Sequence, residues 1–195
     1  MPVETAKMKL ERILSKLDKG EIRELSRHED YVPTGLGEHE DMTLPTIQSV
    51  YRGKKMVIEF VTYHEGGYLF NIQLTIPSPF KLVLSFEDSE IKSRKFGASS
   101  PIPVTEIEIG IKEFDDMYFI ETLEEEVTRT FLSKTKVREL IESLERFDHL
   151  TFDYRYLKLE YYVKDVQEIN EDWVFNKIEI MDLLADLLIQ YNKEN

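Results

Sequence analysis

The chain has 195 residues, of which 42% are apolar, so it is long enough to bury one ordinary hydrophobic core. Its formal net charge of −13 repels phosphate backbones and anionic lipid surfaces, and we therefore expect neither nucleic acid nor a membrane as a partner. Cysteine is absent, which excludes disulfides, thiol nucleophiles and cysteine metal sites.

Neither end of the chain carries a targeting or membrane signal. The first twenty residues have an amphipathic helical pattern and lack the apolar stretch of a signal peptide. The apolar stretch near the C-terminus is interrupted by Asp182 and Asp186, so it does not fit a membrane span. A cytoplasmic location is therefore expected. The abundance of Glu and Lys without Cys is typical of thermophile proteins.

The first half of the chain predicts a helix, a long loop and a series of strands. Apolar residues at helical spacing predict a helix from Glu4 to about Lys19, and Ile22 and Leu25 extend that spacing by one turn. Residues 27–43 follow neither period and predict a long polar loop. The next segments predict a meander of four strands: Thr46–Gly53, Lys54–His64, Tyr68–Pro77 and Phe80–Asp88.

The second half mixes strands and helices. After an irregular segment, in which 97–103 is the best place for a domain boundary, alternation predicts a strand over Val104–Ile111. Helical spacing then predicts Leu123–Phe131 and Lys134–Phe147 as helices, with Ser133 as the N-cap of the second. Two hairpin strands, a linker and a last helix are predicted to follow: Leu150–Tyr154, Leu157–Val163, Asp165–Glu171 and Asp172 to about Tyr191.

This order of elements predicts the fold class. Strands and helices do not alternate as βαβ units, so the sheet is expected to be antiparallel. We predict one α+β domain over residues 1–195, with about six to eight strands. An N-terminal helix, two central helices and a C-terminal helix are expected to pack against the sheet.

Two adjacent acids, Asp115 and Asp116, raise the question of a carboxylate site. Neighbouring residues on a strand point to opposite faces and cannot easily share one ion. An Asp in a turn instead binds backbone amides and fixes the turn. We interpret the pair as a structural turn in which Asp115 holds the backbone and Phe114 fills the core.

A short motif surrounds that turn. Its residues are Gly110, Phe114, Asp115, Tyr118, Ile120 and Glu121. The motif resembles a Gly-x-x-x-Phe-Asp-x-x-Phe-x-Val-Glu pattern in uncharacterised bacterial families that have no agreed activity. The resemblance implies a layout, in which a β-rich front half precedes helices, a hairpin and a last helix, and it implies no chemistry.

The loop at 28–41 is the candidate metal site. It repeats a cluster of histidine and acids, and its candidate ligands are His28, Glu38, His39 and Asp41. Imidazole and carboxylate are competent ligands for zinc, manganese or iron. The spacing matches no established metal signature, and a solvated acidic loop is the competing interpretation.

Established catalytic and phosphate-binding motifs are absent from the sequence. We therefore expect no bound cofactor and favour a non-catalytic cytoplasmic module that binds a protein partner or a second copy of itself. The amphipathic helices at the two ends support this hypothesis, because an apolar helix face needs a cover. One alternative is a metal-binding protein or metal-dependent hydrolase that uses the loop at 28–41. Another is a small-ligand carrier with a pocket between sheet and helices.

Overall fold

The structure is a computed structural model that describes residues 5–17, 19–26, 43–62, 66–86 and 105–194. Most of the predicted loop at 27–43 lies outside these residues, as does the whole candidate boundary at 97–103. Five α-helices are described: α1 (Ala6–Ser15), α2 (Lys112–Asp115), α3 (Glu125–Leu132), α4 (Thr135–Ser143) and α5 (Glu171–Glu194). The strands described are β1 (Glu21–Ser26), β2 (Thr43–Tyr51), β3 (Lys54–Thr62), β4 (Tyr68–Thr75), β5 (Leu82–Phe86), β6 (Thr105–Glu106), β7 (Tyr118–Thr122), β8 (His149–Asp153) and β9 (Tyr156–Val163).

The strands form one sheet in the order β1-β2-β3-β4-β9-β8-β5-β7-β6, and every neighbouring pair is antiparallel. The predicted α+β class with an antiparallel sheet is confirmed. The described residues contain nine strands, one more than the predicted range. One strand that the sequence pattern did not indicate is β1, whose Ile22 pairs with Ile47 of β2. The spacing of Ile22 and Leu25 also fits a helical turn, which is why the sequence pattern concealed this strand.

The predicted four-strand meander is wrong at its last strand. β5 does not pair with β4, because β9 occupies that position with eight consecutive residue pairs. The two strands match in register on one face: Phe70 lies opposite Tyr161, and Ile72 lies opposite Leu159. Apolar pairs directly across two strands stabilise the pairing. β5 pairs instead with β7 and β8.

Two predicted boundaries are also wrong. The strand expected over Val104–Ile111 is reduced to β6, because the amides of residues 109–111 donate to a side chain instead of to a neighbouring strand. Ser133 is not an N-cap. It ends α3, and its hydroxyl donates to the carbonyl of Thr130 at 2.8 Å.

The predicted linker contains a 3₁₀ helix, Val166–Glu168, closed by a capping box.

The helices lie on one face of the sheet and bury a single apolar cluster against it. Trp173 of α5 shows the arrangement, since its ring centroid lies 6.2 Å from Phe70 on β4 and 4.5 Å from Tyr161 on β9. Phe131 of α3 likewise contacts Phe152 of β8 at 5.8 Å between centroids. Burial of such rings supplies the main favourable term of folding. No helix in the described ranges is both long and apolar enough to cross a membrane.

A buried carboxylate anchors α5 to the turn between β2 and β3. The side chain of Asp182 is only 1% exposed, and its oxygens accept hydrogen bonds from Lys54 at 2.6 Å and from Arg52 at 3.1 Å. Burial alone would lower the pKa of Lys54, but its hydrogen bonds to Asp182 and Asp186 outweigh burial and raise it. Lys54 therefore stays charged, and the buried carboxylate keeps its partner.

A glycine pair at the start of β4 allows a strict stability test. Gly66 and Gly67 both have positive φ, of 93° and 79°, so alanine is strained at either position. Only Gly67 is also crowded, because a Cβ there would lie 2.5 Å from the carbonyl oxygen of Val163. We expect Gly67→Ala to lower the free energy of unfolding by at least about 2 kcal/mol and Gly66→Ala by about 1 kcal/mol. Urea unfolding measures both values, and equal losses would contradict the close approach.

The anchor on α5 generates a second prediction. Asp182→Asn removes one charge of a buried pair, and we expect a loss of roughly 3 kcal/mol in the free energy of unfolding. Asp186→Asn is the matched control, since Asp186 also contacts Lys54, at 2.7 Å, but is 62% exposed. Its expected loss is under about 1 kcal/mol. If the control destabilised the protein as much as the buried variant does, burial would not be the source of the effect.

Candidate functional site

The carboxylate of Asp115 binds the backbone that precedes it. Its Oδ1 accepts a hydrogen bond from the amide of Ile109 at 2.8 Å. Its Oδ2 accepts from the amides of Gly110 and Ile111 at 2.8 and 2.9 Å. Gly110 adopts a φ of +81°, a conformation that glycine allows at low cost. Three amides of one turn thus converge on a single side chain.

The neighbouring Asp116 has a different environment. It is exposed and forms an ion pair with Lys112, one helical turn earlier in α2. Phe114, which directly precedes Asp115, is buried in the core. Its ring centroid lies 4.6 Å from the ring centroid of Tyr118. The two carboxylates therefore face different partners, an arrangement unlike a catalytic dyad, whose carboxyl groups share a proton or a ligand.

The candidate metal ligands His28, Glu38, His39 and Asp41 lie outside the described residues. Across the ranges that the structure describes, no three side chains of His, Asp or Glu are grouped so that they could hold a metal ion. His149, on β8, is buried and stands directly opposite Glu160 of β9. The metal hypothesis accordingly stays a prediction that concerns the loop alone.

The face of the sheet opposite the helices carries a second set of side chains. They alternate with the core positions along each strand, as strand geometry requires. Its apolar members are Val50, Val57, Val61, Leu69, Val83, Phe119, Tyr156 and Tyr162. None of these eight belongs to the apolar cluster under the helices. In the described part of the chain this face lacks a helical cover, and we call it the helix-free face.

A row of polar side chains crosses the middle of the helix-free face. Pairing places Glu59, Asn71, Glu160 and His149 opposite one another on β3, β4, β9 and β8. The Nδ2 of Asn71 donates to Glu59 at 3.3 Å, and Lys158 pairs with Glu160 at 3.0 Å. Asn71 is 6% exposed, and its Oδ1 has no hydrogen-bond partner among the described residues. A buried acceptor without a partner costs free energy, so this row is not a purely stabilising feature.

The β1 end of the same face forms an open groove with a volume of about 620 Å³. Its floor includes Val50, which is 54% exposed, and the half-buried Val57. Lys19 and Lys55 also line it, and both are exposed. Neither lysine forms an ion pair with another described residue. The groove therefore places two ammonium groups that are unpaired within the described ranges next to the apolar side chains of Val50 and Val57. The volume falls within the usual range for small-molecule sites, roughly 300–1,000 Å³.

Sequence reasoning did not find this groove. Its residues come from the segment that joins α1 to β1, from β1 itself, from β2 and β3, and from the end of β4, and they meet only through the strand order β1-β2-β3-β4. One signal was present in the sequence: Lys55, Val57 and Glu59 alternate with the apolar core positions of β3. Valine is favoured in strands on either face, so this alternation alone was too weak a signal to indicate the groove.

The two aspartates of the turn give a matched prediction. We expect Asp115→Asn to lower the free energy of unfolding by about 1–3 kcal/mol, since the amide retains one acceptor oxygen for three backbone donors and loses its charge. Asp116→Asn should cost about 0.5 kcal/mol or less, because its ion pair is exposed. Chemical unfolding of both variants provides the comparison. A negligible effect at Asp115 would show that its three hydrogen bonds do not hold the turn.

Comparisons with known proteins add one structural likeness. No protein-family profile matches the chain, and no curated protein matches it. The crystal structure of the mycobacterial trehalose monomycolate transport factor A, TtfA, is similar with a TM-score of 0.50 and 12% sequence identity. The match covers 77% of this chain and 75% of that chain. At this identity the likeness concerns the fold alone.

Proposed function

We propose that this chain is a non-catalytic binding protein whose binding surface is the helix-free face of the sheet. The observation that carries the proposal is the apolar content of that face. Val50 is more than half exposed there, and Val57, Val61, Tyr156 and Tyr162 are partly exposed. The polar row divides them into two groups, with Val50 and Val57 on one side and Val61 and Tyr162 on the other. Apolar side chains that stay partly exposed on both sides of a polar row offer contacts to a bound partner.

The polar row supports the same conclusion. Asn71 holds a buried acceptor oxygen without a hydrogen-bond partner among the described residues, next to the carboxylates of Glu59 and Glu160. Because this oxygen is buried, a donor reaches it only if a neighbouring side chain moves, whereas the half-buried Glu59 of the same row is accessible. Polar groups set among apolar ones are also what fixes the orientation of a ligand in a binding site.

The sequence pattern predicts a protein partner on the amphipathic terminal helices and a carrier pocket between sheet and helices. Apolar residues of both terminal helices belong instead to the core, so the proposed binding surface moves to the helix-free face. A protein partner, a second copy of the chain or a small ligand would each cover the same apolar positions. The transport role in the name of the similar structure belongs to that protein, and the likeness in fold does not supply a ligand here. The metal-dependent alternative rests on residues 28–41, which lie outside the described residues.

Native mass spectrometry of the untagged protein isolated from its source cells tests the proposal. We expect additional bound mass on the wild-type chain and its loss in Val57→Glu, which replaces an apolar side chain of this face with a charge. Leu183→Glu is the control, since Leu183 is 45% exposed on α5, away from this face. Thermal melts establish that both variants are folded.

Two results would overturn the proposed function. One is a wild-type chain that carries no additional mass as isolated. The other is bound mass that persists in Val57→Glu or that disappears equally in Leu183→Glu, since neither pattern would place the partner on the helix-free face.

A further inference from the structure

The groove at the β1 end of the helix-free face contains features that define a class of ligand. We propose that it binds a small amphiphilic anion, with a carboxylate or phosphate head near Lys19 and Lys55 and a short hydrocarbon chain over Val50 and Val57. This inference rests on the proposed function and specifies the chemistry of its ligand. It differs from the carrier pocket expected from the sequence, which was placed between the sheet and the helices.

Local charge favours an anion. The chain as a whole carries a net charge of −13, yet the groove presents two lysines that have no ion-pair partner among the described residues. The acid that also lines the groove, Glu21, is already engaged, because Nε of Arg23 donates to it at 2.6 Å. A concave site with one sign of uncompensated charge raises the local concentration of the opposite ion.

The apolar residues of the groove floor favour a ligand that has a hydrocarbon part as well as an anionic head. Val50 stands directly opposite Lys55, and Gln48 stands opposite Val57, so charged, polar and apolar side chains alternate across β2 and β3. A lysine stem is itself apolar and lies along apolar surface while its ammonium group stays in water. A ligand with an anionic head and a hydrocarbon chain complements both parts of this arrangement, and burial of each CH₂ group contributes about 0.8 kcal/mol.

The position of Lys19 is fixed by contacts of the backbone. The hydroxyl of Ser49 donates to the carbonyl of Lys19, which ties the start of β1 to β2. At the next residue, Gly20, a Cβ would lie 3.2 Å from the carbonyl oxygen of Gln48 and 2.9 Å from the side chain of Leu14. The absence of a side chain thus lets this segment approach β2 closely. One wall of the groove is therefore held in place before any ligand arrives.

The experiment is a titration of the full-length ¹⁵N-labelled protein with octanoate at constant ionic strength, followed by amide shifts of the groove residues. We expect saturable shifts with a Kd below about 1 mM. Octylammonium and butyrate are the matched probes, and both should bind at least about tenfold more weakly, since one reverses the charge and the other lacks most of the chain. Octyl phosphate identifies the head: tighter binding than octanoate assigns a phosphate, and weaker binding assigns a carboxylate.

Variants assign the binding to the two lysines. The double variant Lys19→Gln/Lys55→Gln should weaken octanoate binding at least about tenfold. Lys164→Gln/Lys193→Gln is the control, because it changes the net charge equally at exposed positions outside the groove. The inference is overturned if neither anion saturates, if octylammonium binds as well as octanoate, or if the control pair weakens binding to the same extent. Native mass spectrometry separates this inference from the proposed function. If bound mass is lost in Val57→Glu but any of these three results is found, the helix-free face remains the binding surface and only the amphiphilic anion is rejected as its ligand.

Discussion

The pairing of β4 with β9 is the contact on which the rest of the structure depends. It joins the strands of the N-terminal half to the hairpin near the C-terminus through eight residue pairs. Its apolar side faces the helices, where Phe70 and Tyr161 receive Trp173 of α5. Because side chains alternate along a strand, the same register that sends these rings to the core sends Asn71 and Glu160 to the opposite face. One pairing therefore determines both the core and the polar row.

The long helix α5 is held on the sheet by charge as well as by apolar contact. Asp182 binds the β2–β3 turn, and Lys177, whose side chain is 1% exposed, binds Glu145 after α4 at 2.8 Å. Two buried groups of opposite sign on one helix permit few alternative positions, since a shifted helix would leave a charge without its partner. Desolvation offsets much of the attraction within such pairs, so their net contribution to stability is small compared with the cost of breaking one.

Local patterns in the sequence predicted the positions of many helices and strands. Period-2 alternation located β8 and β9, and helical spacing located α1, α3, α4 and α5 to within a few residues. Errors arose where a distant residue decides the outcome. The position of β5 follows from the long-range pairing of β4 and β9, and the short length of β6 follows from the carboxylate of Asp115. The groove was not predictable for a related reason: Lys19, Val50 and Lys55 become neighbours only through strand order and register.

The seam between β4 and β9 also has a consequence for the newly made chain. Roughly eighty residues separate the two strands, and at about 5–20 residues per second a ribosome needs roughly 4–16 s to make them. During that interval β4 has emerged with one side of its backbone unpaired and with the rings of Phe70 and its neighbours uncovered. Unpaired strand edges with apolar side chains promote aggregation. The protein is thus most vulnerable before its last third exists, and its yield in cells should depend on how quickly that last third follows.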